Sequence, residues 1–286
     1  MVVTRRFLIA LLFVSVSAHA GSARMTLAVA PDLDADADYW PGEVGRPAVL
    51  ILHGFLQTRD FPTVRRLAEA LADTGYSVLL PTLTLGLDHR HQSLPCEALH
   101  THSMDRDVAE LRAWVGWLAA RSGRRPVVIG HSTGAIQVSA LLDGDAAFDV
   151  ERAVLISLTF FGAELGPDRV AALTARARAD MTIDADAFHD YALSYCTRYV
   201  TSPTRLLSYL RWDRDELRRA LGHSRVPVTV IYGSRDRDVD RGWLEQLRND
   251  GVTLLPVTGA NHFFDLANEF DLLDAVVSAV DRGGHG

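Results

Sequence analysis

The stretch Pro126-Val127-Val128-Ile129-Gly130-His131-Ser132-Thr133-Gly134-Ala135-Ile136-Gln137 decides the fold. An apolar, strand-like run enters a Gly-x-Ser-x-Gly pentapeptide, and a helix-like run from Ala135 to Leu142 leaves it. That context makes the pentapeptide a nucleophile elbow, a sharp strand-to-helix turn that lifts a serine hydroxyl clear of a sheet. Glycines are needed at 130 and 134 because side chains on the flanks of so tight a reversal would clash. The helix that follows aims its positively polarised N-terminus at the reacting centre. Ser132 is therefore the candidate nucleophile, and His131 is expected to point away from it rather than to serve as its base.

Working outward, three further stretches fall where such an elbow needs them. Val226 to Gly233 reads as a strand and is followed by Ser234-Arg235-Asp236. Val252 to Val257 reads as the last strand and leads to Gly259-Ala260-Asn261-His262. Upstream, Val49 to Leu52 is a strand that runs into His53-Gly54-Phe55. Together these motifs resemble the α/β-hydrolase superfamily, in particular its serine esterases, lipases and lysophospholipase-like members, from roughly Pro47 to Val280. In that superfamily the chain order is nucleophile, acid, histidine. The resemblance implies Asp236 as the acid, with Asp238 as its rival in the Arg235–Asp240 charge run, and His262 as the base. It also implies an oxyanion hole built from the backbone N–H groups of Phe55 and Thr133.

Each group has its own task. A serine hydroxyl is a poor nucleophile until a base removes its proton during attack on a carbonyl. An imidazole does this near neutrality, and a buried carboxylate fixes its tautomer and stabilises the imidazolium. The tetrahedral oxyanion needs two donors, each worth about 2.7–4 kcal/mol in the transition state.

Composition excludes much else. All 29 Lys+Arg residues are arginine, which removes Schiff bases, pyridoxal phosphate attachment, Ser-Lys dyads and Walker-type phosphate loops. No G-x-G-x-x-G follows a strand, so a dinucleotide cofactor has no support, and no cofactor or metal is expected. His89, His91, His100 and His102 crowd one loop without a diagnostic metal spacing and are read as polar residues at the site rim. Asp32, Asp34, Asp36 and Asp38 lack the Ca²⁺-loop pattern and are read as a solvated connection between short edge strands.

Residues 1–20 read as a cleavable signal peptide: Arg5-Arg6, an apolar run from Phe7 to Val16, then Ala18-His19-Ala20. The expected location is periplasmic or secreted, without a stable membrane anchor. Removing the two arginines takes the formal charge from −7 to −9, which disfavours nucleic acid. In such a compartment Cys96 and Cys196 are expected to pair, the alternative being two free thiols.

The alternation of strand and helix patterns gives an α/β fold, a doubly wound, mostly parallel sheet. The core comprises residues 21–158 and 226–286. Between them, residues 159–225 are expected to form a helical cap, in which Phe160, Phe161, Phe188, Tyr191, Tyr195, Tyr199, Tyr209 and Trp212 recur at helical spacing. The cap would border a pocket for a small-molecule or lipid-like acyl substrate. The expected activity is hydrolysis of carboxylic esters through an acyl-enzyme. Acyl transfer or peptide or amide cleavage by the same triad is the alternative, and a non-catalytic binding protein on this fold is the reading from another class. One departure from the resembling family is the stretch Pro81 to Ser93, where many relatives carry an Asp and a glycine-rich turn.

Overall fold

Strand β3 (Ala48–Leu52) divides its side chains between two apolar layers, Leu50 and Leu52 into one and Val49 and Ile51 into the other. Period-two alternation with both faces buried is the signature of a central strand covered by helices on both sides. The structure, a computed structural model, describes residues 21–144, 149–265 and 267–282; the expected signal peptide lies outside them.

The main sheet also contains β1 (Ala23–Ala30), β2 (Leu33–Trp40), β4 (Ser77–Thr82), β6 (Val127–His131), β7 (Arg152–Ile156), β10 (Val228–Gly233) and β11 (Thr253–Val257). Its order is β1-β2-β4-β3-β6-β7-β10-β11. The pairings β1·β2 and β2·β4 are antiparallel and the other five are parallel. Helices α1 (Pro62–Asp73) and α8 (Asn268–Asp281) fill one face with Val64, Leu67, Leu71, Leu272 and Val276. The other face is covered by α2 (Met104–Ser122), α3 (Thr133–Leu142), α6 (Arg214–Gly222) and α7 (Arg241–Asn249).

The acidic run is not a solvated connection. Asp34, Asp36 and Asp38 belong to β2, where Asp36 is buried with Ala35 and Ala37 and the other two are half-buried. Aspartate disfavours strands in general, but here Asp36 is paired with Arg24, Thr26 and His89, and Asp38 with Arg65.

The inserted segment is helical at α4 (Pro167–Ile183), at α5 (Pro203–Leu210) and at α6, but it also contains a β-hairpin. Strands β8 (His189–Leu193) and β9 (Cys196–Thr201) pair antiparallel, and β9 pairs in parallel with the short β5 (Leu99–His100) of the core. Tyr191 and Tyr199 stand opposite each other, and Tyr195 lies in the turn. Cys96 and Cys196 form a disulfide with Cα atoms 5.4 Å apart, tying the hairpin to the loop before β5.

Candidate active site

Ser132 occupies the one-residue corner between β6 and α3 with φ 55° and ψ −121°. A left-handed φ is strained for a non-glycine residue and persists only where the surroundings impose it. They do so here. The Ser132 N–H donates to Ile156 of β7 at 2.9 Å, and its carbonyl accepts from Ala135 at 2.9 Å. A Cβ on Gly130 would stand 2.3 Å from the Gly134 carbonyl oxygen, and one on Gly134 would stand 2.5 Å from the His53 oxygen. Both glycines are thus required by backbone crowding, while Ser132 itself stays partly accessible.

The loops after β10 and β11 bring the two expected partners to this corner. His262 Nε2 lies 3.0 Å from Ser132 Oγ, and His262 Nδ1 lies 3.0 and 3.1 Å from the carboxylate oxygens of Asp236. Asp236 is buried, and burial by itself raises a carboxyl pKa. The hydrogen bond and charge of His262, the Ser157 hydroxyl and the Asp238 N–H outweigh that and hold it below the usual range. Asp238 reaches His262 Nδ1 only at 3.6 Å, and its side chain is 52% exposed. An exposed carboxylate at that distance is screened and free to reorient, so the geometry favours Asp236. His131 turns to the His262 carbonyl, not to the serine.

Phe55 follows β3, next to Gly54, where an added Cβ would stand 3.4 Å from the Ser132 Cβ. Among the described residues, no loop or turn carbonyl takes the N–H of Phe55 or Thr133, whereas the nearby Gln57 and Ala135 N–H groups bond to Gly54 and Ser132. The loop is braced from behind. His53 donates through Nδ1 to the Gly54 carbonyl at 2.9 Å and accepts the Leu83 N–H on Nε2 at 3.1 Å. Burial, with Arg90 adding to it, pushes this imidazole down to about 3, so it stays neutral. Arg90, buried in the stretch where the chain departs from the resembling family, donates to the carbonyls of Leu56, Gln57, Leu83 and Gln92. Burial draws its pKa down to about 10, still fully charged at neutrality. No sequence motif announced Arg90, because its partners are backbone carbonyls.

Of the four loop histidines only His89 and His91 lie at the surface. His100 and His102 are buried, which corrects their reading as rim residues. His100 stacks on Tyr199 with centroids 3.9 Å apart. His102 accepts the Tyr199 hydroxyl on Nε2 at 3.2 Å and donates through Nδ1 to Tyr209. Tyr209 donates to Asp107 at 2.6 Å, and Asp107 also accepts Gln137 of α3 at 2.9 Å. This buried chain runs from the cap through α2 to the helix behind the elbow, and each member finds its partner. His102, Asp107, Gln137 and Tyr209 of this chain line a small cavity together with Phe55 and Thr133.

The Phe55 ring faces Phe161, Tyr195 and Tyr199 at 5.5–6.3 Å, an aromatic wall contributed by the inserted segment. Two carboxylate–histidine clusters bring their ligand atoms within 4.8 Å of one another, Asp236/Asp238/His262 and the surface group Asp34/Asp88/His89. In the first, His262 is already engaged on both nitrogens.

Comparison with known proteins agrees with this architecture. The model of the family described as "Alpha/beta hydrolase family" matches residues 49–275. Among solved structures, the alpha/beta hydrolase GrgF from Penicillium sp. sh18 is 13% identical with a TM-score of 0.69, covering 92% of this chain and 99% of its own. The monoacylglycerol lipase of Paleococcus ferrophilus is 16% identical (TM-score 0.62; 91% and 98% covered). A thioesterase domain from the curacin biosynthetic pathway is 18% identical (TM-score 0.60; 91% and 99% covered). No curated protein matches the chain. At these identities the structural likenesses establish the fold.

Proposed function

Starting from a chain that belongs to the alpha/beta hydrolase family, we propose that it is an exported serine hydrolase of carboxylic esters, acting through an acyl-enzyme. The observation that carries this is the unbroken line from Ser132 Oγ through His262 to Asp236, with both contacts at 3.0 Å. In this reading His262 takes the serine proton as the oxygen attacks the ester carbonyl. The N–H groups of Phe55 and Thr133 then receive the oxyanion. The imidazolium, stabilised by Asp236, hands its proton to the leaving alcohol, and a water activated by His262 later releases the acid.

The apolar surroundings of Phe55, with the exposed Tyr195 ring beside it, are in keeping with an uncharged acyl group. The names of the structural neighbours, a lipase and a thioesterase, are in keeping with acyl chemistry. Export is supported by the signal-like residues 1–20 and is compatible with the Cys96–Cys196 disulfide. No helix of the described residues is long and apolar enough to cross a membrane.

A fluorophosphonate probe tests the reading. It should label Ser132 in the folded protein, and His262→Ala should abolish labelling. Failure of the first, or labelling unaffected by the second, would remove the catalytic assignment. A panel of 4-nitrophenyl esters from acetate to palmitate, set beside matched amides, would then define the acyl preference. Faster cleavage of the amides would replace ester hydrolysis with amidase activity.

A further inference from the structure

His262 is gripped by its backbone as well as its ring. Its carbonyl accepts the Ser157 hydroxyl at 3.1 Å and His131 Nε2 at 3.0 Å. A carbonyl oxygen offers two lone pairs, so this acceptor is saturated by two side chains from the ends of neighbouring strands. Because a carbonyl cannot donate, His131 carries its proton on Nε2, and Nδ1 is left as a bare acceptor. Among the described residues that buried nitrogen has no partner. Burial first, and the His262 charge second, push the His131 imidazole down to about 4, so the ring stays neutral. Phe61 and Phe263 flank the ring at 6.3 and 6.1 Å. Ser157 is fully buried and adopts φ 49°, a conformation unfavourable for a side-chain-bearing residue. Each residue therefore carries a local penalty, and each places its donor within reach of the same oxygen, the Ser157 hydroxyl also facing the Asp236 carboxylate. Penalties retained together in this way mark a constraint beyond packing.

We propose that His131 and Ser157 are positioning residues, which fix the His262 backbone so that its Nε2 stays aimed at Ser132 Oγ. The proposal rests on the reading of Ser132, His262 and Asp236 as the triad. Neither residue touches the reacting atoms; both act through the loop that carries the base. A base displaced by a fraction of an ångström loses rate in the chemical step, with little effect on binding.

The test compares wild type, Ser157→Ala, His131→Leu and His131→Gln on 4-nitrophenyl butyrate, with melting temperatures measured alongside. Ser157→Ala and His131→Leu should each lower kcat by about 10- to 100-fold with KM within twofold. Glutamine can present an amide N–H near the position of Nε2, so His131→Gln should recover most of the loss. Wild-type kcat in Ser157→Ala and His131→Leu would overturn the proposal. So would a glutamine variant that folds normally yet is no better than leucine. If His131→Leu fails to fold, Ser157→Ala, which removes a single hydroxyl, and His131→Gln still decide. An inactive wild-type protein that the probe does not label would instead sink the triad reading, a separate outcome.

Discussion

The Tyr195 hydroxyl donates to the Phe55 carbonyl across 3.3 Å, joining the tip of the β8–β9 hairpin to the loop after β3. The rings of the two residues also meet edge to face at 5.5 Å. The next residue after Tyr195 is Cys196, so the disulfide to Cys96 anchors this contact at its root. Removing the disulfide by Cys96→Ala/Cys196→Ala should lower stability by up to about 4.7 kcal/mol, the chain-entropy value for a loop of this length. It should also raise KM for aromatic and long-chain esters as the hairpin loosens. Melting curves with and without reductant, and Michaelis curves for the double variant, check both effects. A variant with unchanged melting temperature and KM would show that the hairpin needs no anchor.

The neighbouring carboxylates near His262 should behave unequally. Asp236→Asn keeps the shape but removes the charge that orients the imidazole, and a loss of about four orders of magnitude in kcat is expected. Asp238→Asn should change kcat less than about tenfold, because an exposed carboxylate at 3.6 Å contributes little. Steady-state kinetics of the two variants distinguishes them, and an equal loss in both would mean a shared role.

Stability should fall steeply in mild acid. His53 is held at about 3 and His131 and His100 at about 4, in each case chiefly by burial. These folded-state values lie below the 6.5 of the unfolded chain, so the unfolded state takes up protons first. The stability present above pH 6.5 is lost as pH falls towards 4, each imidazole contributing up to about 1.4 kcal/mol per pH unit. Glu110 works in the opposite sense. Burial raises it to about 7, so it favours the folded state as pH drops from 7 to 4.5. One carboxyl against three imidazoles leaves the net slope downward. Circular-dichroism melts from pH 8 to pH 4.5 should show it, and a melting temperature no lower at pH 4.5 than at pH 7.5 would contradict the account.

Two glycine substitutions should have opposite signs. Gly134→Ala drives a methyl against the backbone oxygens of His53 and Leu52, at 2.5 and 2.8 Å, and should disrupt the elbow and abolish activity. Gly116→Ala lies within α2 with open space around it, and replacing glycine in a helix interior should stabilise the fold by about 0.5–1 kcal/mol. Denaturant midpoints of the two variants provide the comparison.

By itself the sequence determined the elbow, the alternation of strands and helices, and the order of Ser132, Asp236 and His262. Those features are local: a strand, a turn and the residue after it are read within a few positions. The sequence favoured Asp236 over Asp238, and the tertiary structure adds that Asp236 lies nearer the imidazole, at 3.0 against 3.6 Å. Tertiary structure alone decided the form of the inserted segment. Tyr191, Tyr195 and Tyr199 are spaced by four, as on a helix face, yet residues four on either side of a hairpin turn also fall opposite each other. The second pairing partner of β9 is β5, about 100 residues earlier in the chain, and no local periodicity reports it. The same holds for the buried chain from Tyr199 to Gln137 and for the two donors on the His262 carbonyl. Hydrogen bonds between residues 30 to 131 positions apart exist only once the fold has brought those segments together. The proposed nucleophile is thus legible in the sequence, but the contacts on the His262 carbonyl are a property of the folded chain.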